Sequence, residues 1–453
     1  MRILQLTPGT GTFLCGSCLR DNALAQALQS LGHEVILAPL YLPFALEERA
    51  AGGEGLPGPS ALAASAPVHM GGINMYLQQK LPLLGRLPRF LHDRLDAPKL
   101  LRFVARHASM TDTHGLGPMV LSMVRGEEGR QRAELERLVE WARELPQLDA
   151  VLLSNVMLAG LARELSSALG CPVYTTLQGE APFLDALDAR HRELCWRALS
   201  ERARELDGCF AVSRYTADLM SARLGLAPDR VHVIWNGLDA ADFGPLPELR
   251  DPARPAIGFL ARMCRDKGLE ALFEAFVRVK QAVPNARLVA AGVVLAEDRP
   301  LLDELARRAR ALGIEGDVEL LGPVSREEKL RLLRRVDVFS VPATYGESFG
   351  LYLLEAWACG LPVVQPRHGA FPELLEATGA GVLVQPDEPE ALATALIGLL
   401  QDPVRRERMG ALGVAAVRER FTAARMAREL LERLVPRERT QEPGAASGRS
   451  PGP

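Results

Sequence analysis

The stretch Tyr345-Gly346-Glu347-Ser348-Phe349-Gly350-Leu351-Tyr352-Leu353-Leu354-Glu355-Ala356-Trp357-Ala358-Cys359-Gly360-Leu361-Pro362-Val363-Val364 reads as loop, helix, turn and strand in close succession. The apolar run Val336-Asp337-Val338-Phe339-Ser340 precedes it and predicts the strand that feeds the loop. A strand, a helix and a second strand in one direction form a unit of a parallel sheet covered on both faces. Gly346 and Gly350 bracket a tight loop where backbone amides can approach a ligand closely. The amides of Phe349, Gly350 and Leu351, beside Ser348, would lie at a helix N-terminus, where unpaired N–H groups attract anions. Glu355 falls inside an otherwise apolar helix, and a carboxylate there needs a donor. A ribose diol would serve; so would a buried arginine. Glu347 stands on the loop before the helix, where it can meet a sugar hydroxyl or positive charge developing at an anomeric carbon.

Working outward, the same rhythm extends through most of the chain. Upstream lie Ala256-Ile257-Gly258-Phe259-Leu260, Arg287-Leu288-Val289-Ala290-Ala291 and Val318-Glu319-Leu320-Leu321; downstream lies Val382-Leu383-Val384. The first of these runs into Ala261-Arg262-Met263-Cys264-Arg265-Asp266-Lys267-Gly268. There Arg262 and Lys267 could clamp a diphosphate, the arginine as a bidentate fork and the lysine as a mobile charge. Alone, that turn reads equally as a solvated basic loop. A second series occupies the first half: Ile3 to Leu6, Val35 to Ala38, Val151 to Leu153, Val173 to Thr176, Cys209 to Val212 and Val231 to Ile234. Between the first two of these, a Gly/Thr/Pro loop from Thr7 to Gly16 leads into a helix that Gly32 ends. The Asn236-Gly237 turn and a Pro-rich acidic stretch over residues 242–255 separate the series. The fold class is therefore α/β, with two tandem Rossmann-like doubly wound domains. Ligands of such sheets bind at the carboxyl ends of the strands, so an interdomain cleft is the expected site.

Length and composition agree. A chain of 453 residues exceeds one typical domain, and 24% charged residues with a formal net charge of −3 carry no basic bias toward nucleic acid. No apolar run is long enough to span a bilayer, and the strand-like Met1-Arg2-Ile3-Leu4-Gln5-Leu6 lacks a leader pattern. Seven cysteines, an odd and scattered set, suit a reducing compartment, so a cytoplasmic protein is expected.

The motifs together resemble those of retaining family-4 glycosyltransferases. Glu347 and Glu355 match the family's two-glutamate E-x7-E pattern, and Arg262 and Lys267 match its basic pair. Asn236-Gly237-Leu238-Asp239 is similar to its N-G-x-D turn, and Gly369 to Glu373 and Gly381 to Pro386 also correspond. The likeness is dense over residues 205–420. In the first half it rests on the glycine-rich loop and on Gly32-His33-Glu34-Val35. It implies the GT-B architecture, with an acceptor-side domain over residues 1–245 carrying a helical insertion near residues 68–145. A nucleotide-sugar domain over residues 255–415 follows, then a helix over residues 416–435 crossing back to the first domain; the polar, Pro/Gly/Ser-rich composition of residues 436–453 separately predicts a disordered tail. The resemblance implies catalytic roles for Glu347, Arg262 and Lys267. It implies donor binding by Gly16, Ser348, Phe349, Gly350, Leu351 and Glu355, with Glu355 on the ribose and Glu347 near the sugar. No metal and no cofactor are implied, the nucleoside-diphosphate sugar being a substrate. Many relatives carry a histidine where this chain has Gln178, a residue that can hydrogen-bond but cannot titrate.

The expected activity is retaining transfer of a sugar to an acceptor, a glycan, a lipid-linked group or a small molecule. The alternatives are an epimerase or phosphorylase on the same fold, or a nucleotide-sugar-binding or redox module without turnover. Cys15-Gly16-Ser17-Cys18 opens the first helix and could be a redox dithiol, but it cannot complete a zinc site. Gly9, Gly11 and Gly16 have the wrong spacing for a dinucleotide fingerprint. Lys80, Arg86, Arg89, Arg94, Lys99, Arg102 and Arg106 make residues 76–108 basic and amphipathic. Such a stretch could rest at the inner face of a membrane or simply form a solvated helix face. His114 and Arg125-Gly126-Glu127 lie in the same region as acceptor-pocket candidates or helix caps.

Overall fold

The computed structural model describes residues 1–9, 16–41, 116–239, 243 and 250–434. Two six-stranded sheets organise them, and every strand pairing is parallel. The first holds β1 (Arg2–Thr7), β2 (Glu34–Pro39), β3 (Ala150–Leu153), β4 (Val173–Leu177), β5 (Gly208–Ala211) and β6 (Val231–Val233), in the order β2-β1-β3-β4-β5-β6. The second holds β7 (Ala256–Leu260), β8 (Arg287–Ala291), β9 (Val318–Leu321), β10 (Val338–Phe339), β11 (Val363–Pro366) and β12 (Gly381–Val384), in the order β12-β11-β10-β7-β8-β9. In each sheet the strand order reverses beside its first strand, between β1 and β3 and between β7 and β10. A crevice opens at such a switch point because the flanking connections leave on opposite faces.

Side-chain alternation divides the first sheet's core in two. Leu4, Leu6, Val151 and Leu153 face one cluster; Ile3, Val35, Leu37, Ala150 and Leu152 face the other. The second cluster contains Leu24 and Leu28 of the Gly16–Ser30 helix and also Met426, Ala427, Leu430 and Leu434 from the segment after Phe421. The second sheet has one large core around Phe259, Phe273, Phe276, Phe339 and Trp357.

Two departures from the sequence reading have plain causes. The expected strand Val336 to Ser340 shrinks to Val338–Phe339, because Asp337 turns its carboxylate to the amide of Ala256 at 2.8 Å. The expected single helix over residues 416–435 is two. The Pro403–Arg420 helix packs on the second domain, and the Ala423–Arg433 helix packs on the first. Thr422 caps the latter by accepting from the amide of Arg425 at 3.1 Å, and Phe421 fills the joint, stacked on Trp235 with ring centroids 5.2 Å apart. The Asn236-Gly237 turn docks there. Leu238 donates its amide to Phe421 O at 3.0 Å and accepts from Ala423 at 3.0 Å. A Cβ on Gly237 would lie 2.3 Å from Thr422 backbone atoms, so only glycine permits this approach. The basic stretch of residues 76–108, His114 and the 436–453 tail lie outside the described residues, as does most of the 68–145 insertion.

Candidate active site

The second sheet's switch point brings together the loop after β7 and the loop after β10. Gly268 makes this possible: its φ is +78°, and a Cβ there would sit 1.8 Å from Pro342 O. Thr344 ties the two loops by donating its amide to Asp266 O at 2.9 Å. Lys267 consequently reaches Glu347, with Nζ 2.6 Å from Oε2, although 80 residues separate them in the chain. Its ammonium also lies 4.9 Å from the Tyr345 ring centroid and 5.8 Å from that of Tyr352. Burial penalises the ammonium, but Glu347 and Tyr345 outweigh it and hold the Lys267 pKa above the usual lysine value.

Glu347 is fixed from behind as well. Its carbonyl accepts from Ala370 at 2.9 Å, and Gly369, at φ +59°, packs directly against its backbone. Gly350 is left-handed, at φ +84°, and starts the Leu351–Ala358 helix, so the helix opens beside Glu347 with its first amides at this turn. Phe349 turns its side chain into the core, against Phe421. Glu355 lies one turn into the helix and pairs with Lys329, Nζ to Oε1 at 2.8 Å, both side chains being largely buried. The cation beside Glu355 is thus a lysine, where the sequence suggested an arginine.

Arg262 does not join this cluster in the way the sequence implied. Its guanidinium is turned to Asp298, at 2.8 and 3.1 Å, and to Glu297 at 2.6 Å. These acids follow β8 on the neighbouring connection and capture the fork, leaving Lys267 as the only cation at Glu347 among the described residues.

The first domain closes on the same loop. Gly16 faces the helix start, so that a Cβ on it would lie 3.7 Å from Leu351 Cδ1. Gly179 faces Ser348 Oγ, and Thr216 donates its hydroxyl to Ser348 O at 3.2 Å. Gly346 sits against the hydroxyl of Tyr215. Arg214 donates its amide and its Nε to Glu373, at 3.0 and 3.1 Å. A cavity of about 300 Å³ lies between the halves, lined by Gly179, Tyr215, Arg223, Tyr345, Gly346 and Ser348 among others. Gln178 points elsewhere: its Nε2 donates to Ser154 O at 2.6 Å, and its amide to Glu180 Oε2 at 2.9 Å. Glu180 accepts three backbone amides, yet burial still raises its pKa.

Other sequence candidates fall outside this site. Cys18 is buried near Thr7, at 3.6 Å from Sγ to Oγ1, and Cys15 lies outside the described residues. Glu127 is bound by Arg163 and Arg202 in an ion-pair network, with Gly126 packed against Gly160 O. Among the described residues no group of three His, Cys, Asp or Glu side chains could hold a metal, and no helix is long and apolar enough to cross a membrane. Sequence reasoning passed over Tyr345, Tyr352, Lys329, Thr216 and the Arg214–Glu373 pair. Tyr352 was hidden because its place in an apolar helix reads as core.

Comparison with known proteins bears on the family and the fold. Residues 247–413 match the family model for glycosyl transferases group 1, and residues 102–242 match that for glycosyltransferase family 4. The two stretches make up most of the chain, which belongs to this glycosyltransferase family. A GDP-mannose-dependent monoacylated alpha-(1-6)-phosphatidylinositol monomannoside mannosyltransferase of Corynebacterium glutamicum is 30% identical over 237 residues. That match spans 49% of this chain and 60% of the relative. A D-inositol 3-phosphate glycosyltransferase of Mycolicibacterium gilvum is 32% identical over 209 residues, or 44% of this chain and 46% of the relative. The chain thus spans roughly half the length of these curated relatives. Two solved structures share the fold over nearly the whole chain. Anabaena Alr3699/HepE in complex with UDP and glucose has a TM-score of 0.63 at 18% identity, covering 95% of this chain and 98% of that one. The sucrose-phosphate synthase (tll1590) of Thermosynechococcus elongatus has a TM-score of 0.65 at 16% identity, again covering 95% and 98%. The architecture is that of the GT-B glycosyltransferases.

Proposed function

We propose that the protein transfers a sugar from a nucleoside-diphosphate donor to a hydroxyl acceptor, with retention of anomeric configuration and without a metal. The observation that carries this reading is the meeting of Lys267 and Glu347 beside the Gly350 helix start, at the switch point of the second sheet. A diphosphate there would gain helix-start amides and the Lys267 ammonium, both strongest as the leaving group gains charge. Glu355 would hold the ribose, and Arg262 would contribute Nη1, which no described residue occupies. In the reaction the bond from the anomeric carbon to the β-phosphate oxygen breaks. The acceptor oxygen bonds the same carbon on the same face, and its proton passes to the leaving phosphate oxygen. The names of the curated relatives favour a GDP-mannose donor and an acceptor bearing an inositol phosphate. A cytoplasmic site is proposed, with peripheral contact at an anionic membrane face through residues 76–108 on compositional grounds.

The test is a thermal-shift screen with GDP-, UDP-, ADP- and TDP-sugars, followed by proton NMR of the product's anomeric coupling. A ligand bound only by the native state raises its melting temperature. Selective stabilisation by one donor and a product of unchanged configuration are expected. No stabilisation by any of them, or an inverted product, would reject the proposal.

A further inference from the structure

Glu347 has three side-chain donors, and all three take the same oxygen. Lys267 Nζ is 2.6 Å, Tyr352 Oη 3.0 Å and Tyr345 Oη 3.4 Å from Oε2. Oε1 receives no hydrogen bond among the described residues. The carboxylate is therefore held by one oxygen and presents the other.

The three donors differ in what they can fix. An ammonium on a four-carbon stem is a mobile point charge and does not define the plane of a carboxylate. A phenol on a packed ring does. Tyr352 is the second residue of the Leu351–Ala358 helix, and its ring rests on Phe339 of β10, centroids 6.1 Å apart. The hydroxyl is thus anchored to the sheet and to the very helix whose start would bind a diphosphate. Burial and Glu347 push Tyr345 up to about 12 and Tyr352 well above the ordinary tyrosine value, so both phenols remain donors at working pH.

We propose that Tyr352 is a positioning residue: its hydroxyl, aided by Tyr345, pins Oε2 of Glu347 against Lys267 so that Oε1 faces the donor sugar. This rests on the transferase reading above. Tyr352 acts only through Glu347, so its loss should slow the chemical step and leave nucleotide binding alone.

The experiment compares Tyr352→Phe, Tyr345→Phe, Glu347→Gln and the double variant Tyr352→Phe/Glu347→Gln with the wild type. Calorimetry gives Kd for GDP and UDP, and release of nucleoside diphosphate from GDP-mannose and UDP-glucose, with water as acceptor, gives kcat and KM. Melting temperatures confirm that each variant is folded. A hydrogen bond to a charged group sets the expected loss for Tyr352→Phe at about tenfold or more in kcat, with KM and Kd unchanged. Tyr345→Phe, with the longer bond, should lose less, and Tyr352→Phe should add nothing once Glu347 is Gln. Unchanged kcat in a folded Tyr352→Phe protein overturns the positioning role while the transferase reading stands. So does a fall in kcat matched by weaker nucleotide binding, or a full additional loss in the Glu347→Gln background. A wild-type protein that binds neither GDP nor UDP and turns over neither donor overturns the transferase reading, and the positioning role with it.

Discussion

Replacing Lys267 with Met should destabilise the protein more than replacing Lys267 and Glu347 together. The lysine side chain is 21% exposed and the glutamate 12%, so neither charge is well hydrated. In Lys267→Met the glutamate keeps two phenol donors, at 3.0 and 3.4 Å, but loses its only described cation. Removing one member of a fully buried pair costs about 3–5 kcal/mol. With the phenols retained and some solvent access, about 2–3 kcal/mol is expected here. Glu347→Gln leaves the ammonium over two aromatic rings, a milder loss of about 1–2 kcal/mol. The double variant Lys267→Met/Glu347→Gln removes both charges and should cost about 1 kcal/mol, a coupling of roughly 2 kcal/mol or more. Urea unfolding followed by circular dichroism measures all four proteins. Turnover should not recover with stability, because Lys267→Met and the double variant lack the ammonium at the leaving phosphate and Glu347→Gln lacks the carboxylate near the donor sugar, and each should lose about a hundredfold in kcat/KM. Additive costs, or single-variant losses below about 0.5 kcal/mol, would refute the reasoning that this pair is a desolvated ion pair.

Gly237→Ala should cost about 1–3 kcal/mol, since its Cβ would meet the Thr422 backbone at 2.3 Å. Limited proteolysis should then cut near Phe421, and an unchanged cleavage pattern and melting temperature would contradict the packing described. Cys195 and Cys359 are pushed up to about 11 and Cys209 to about 12, first by burial. Iodoacetamide should therefore label the buried Cys195 and Cys209 slowly in native protein near pH 8 and quickly in urea, with the half-buried Cys359 faster than either, as peptide mass spectrometry would show; rapid native labelling of Cys195 or Cys209 would contradict their burial.

Much of the fold could be read before any coordinates, for a physical reason. Strands buried on both faces read as continuous apolar runs, and Ala256 to Leu260 and Val173 to Leu177 are buried along their whole length. The meeting of the β7 and β10 loops was expected only through the family resemblance, because the strand order that makes the switch point is set by pairings between segments distant in the chain. Long-range polar pairing was not legible. Arg262 lies 36 residues from Asp298, and Arg214 lies 159 from Glu373. Nothing local marks either partner. Val336 and Asp337 have strand-like neighbours, yet the Asp337 carboxylate takes the Ala256 amide and the strand starts only at Val338. Tyr352 illustrates a further limit: helical spacing places its ring but says nothing of the atom its hydroxyl meets.

The most direct test is hydrogen–deuterium exchange with and without saturating GDP or UDP. If one diphosphate is held jointly by the β7 loop and the start of the Leu351–Ala358 helix, amides of residues 264–268 and of residues 350–354 gain protection together. Protection of one segment without the other, or of neither while nucleotide is demonstrably bound, would contradict the shared site.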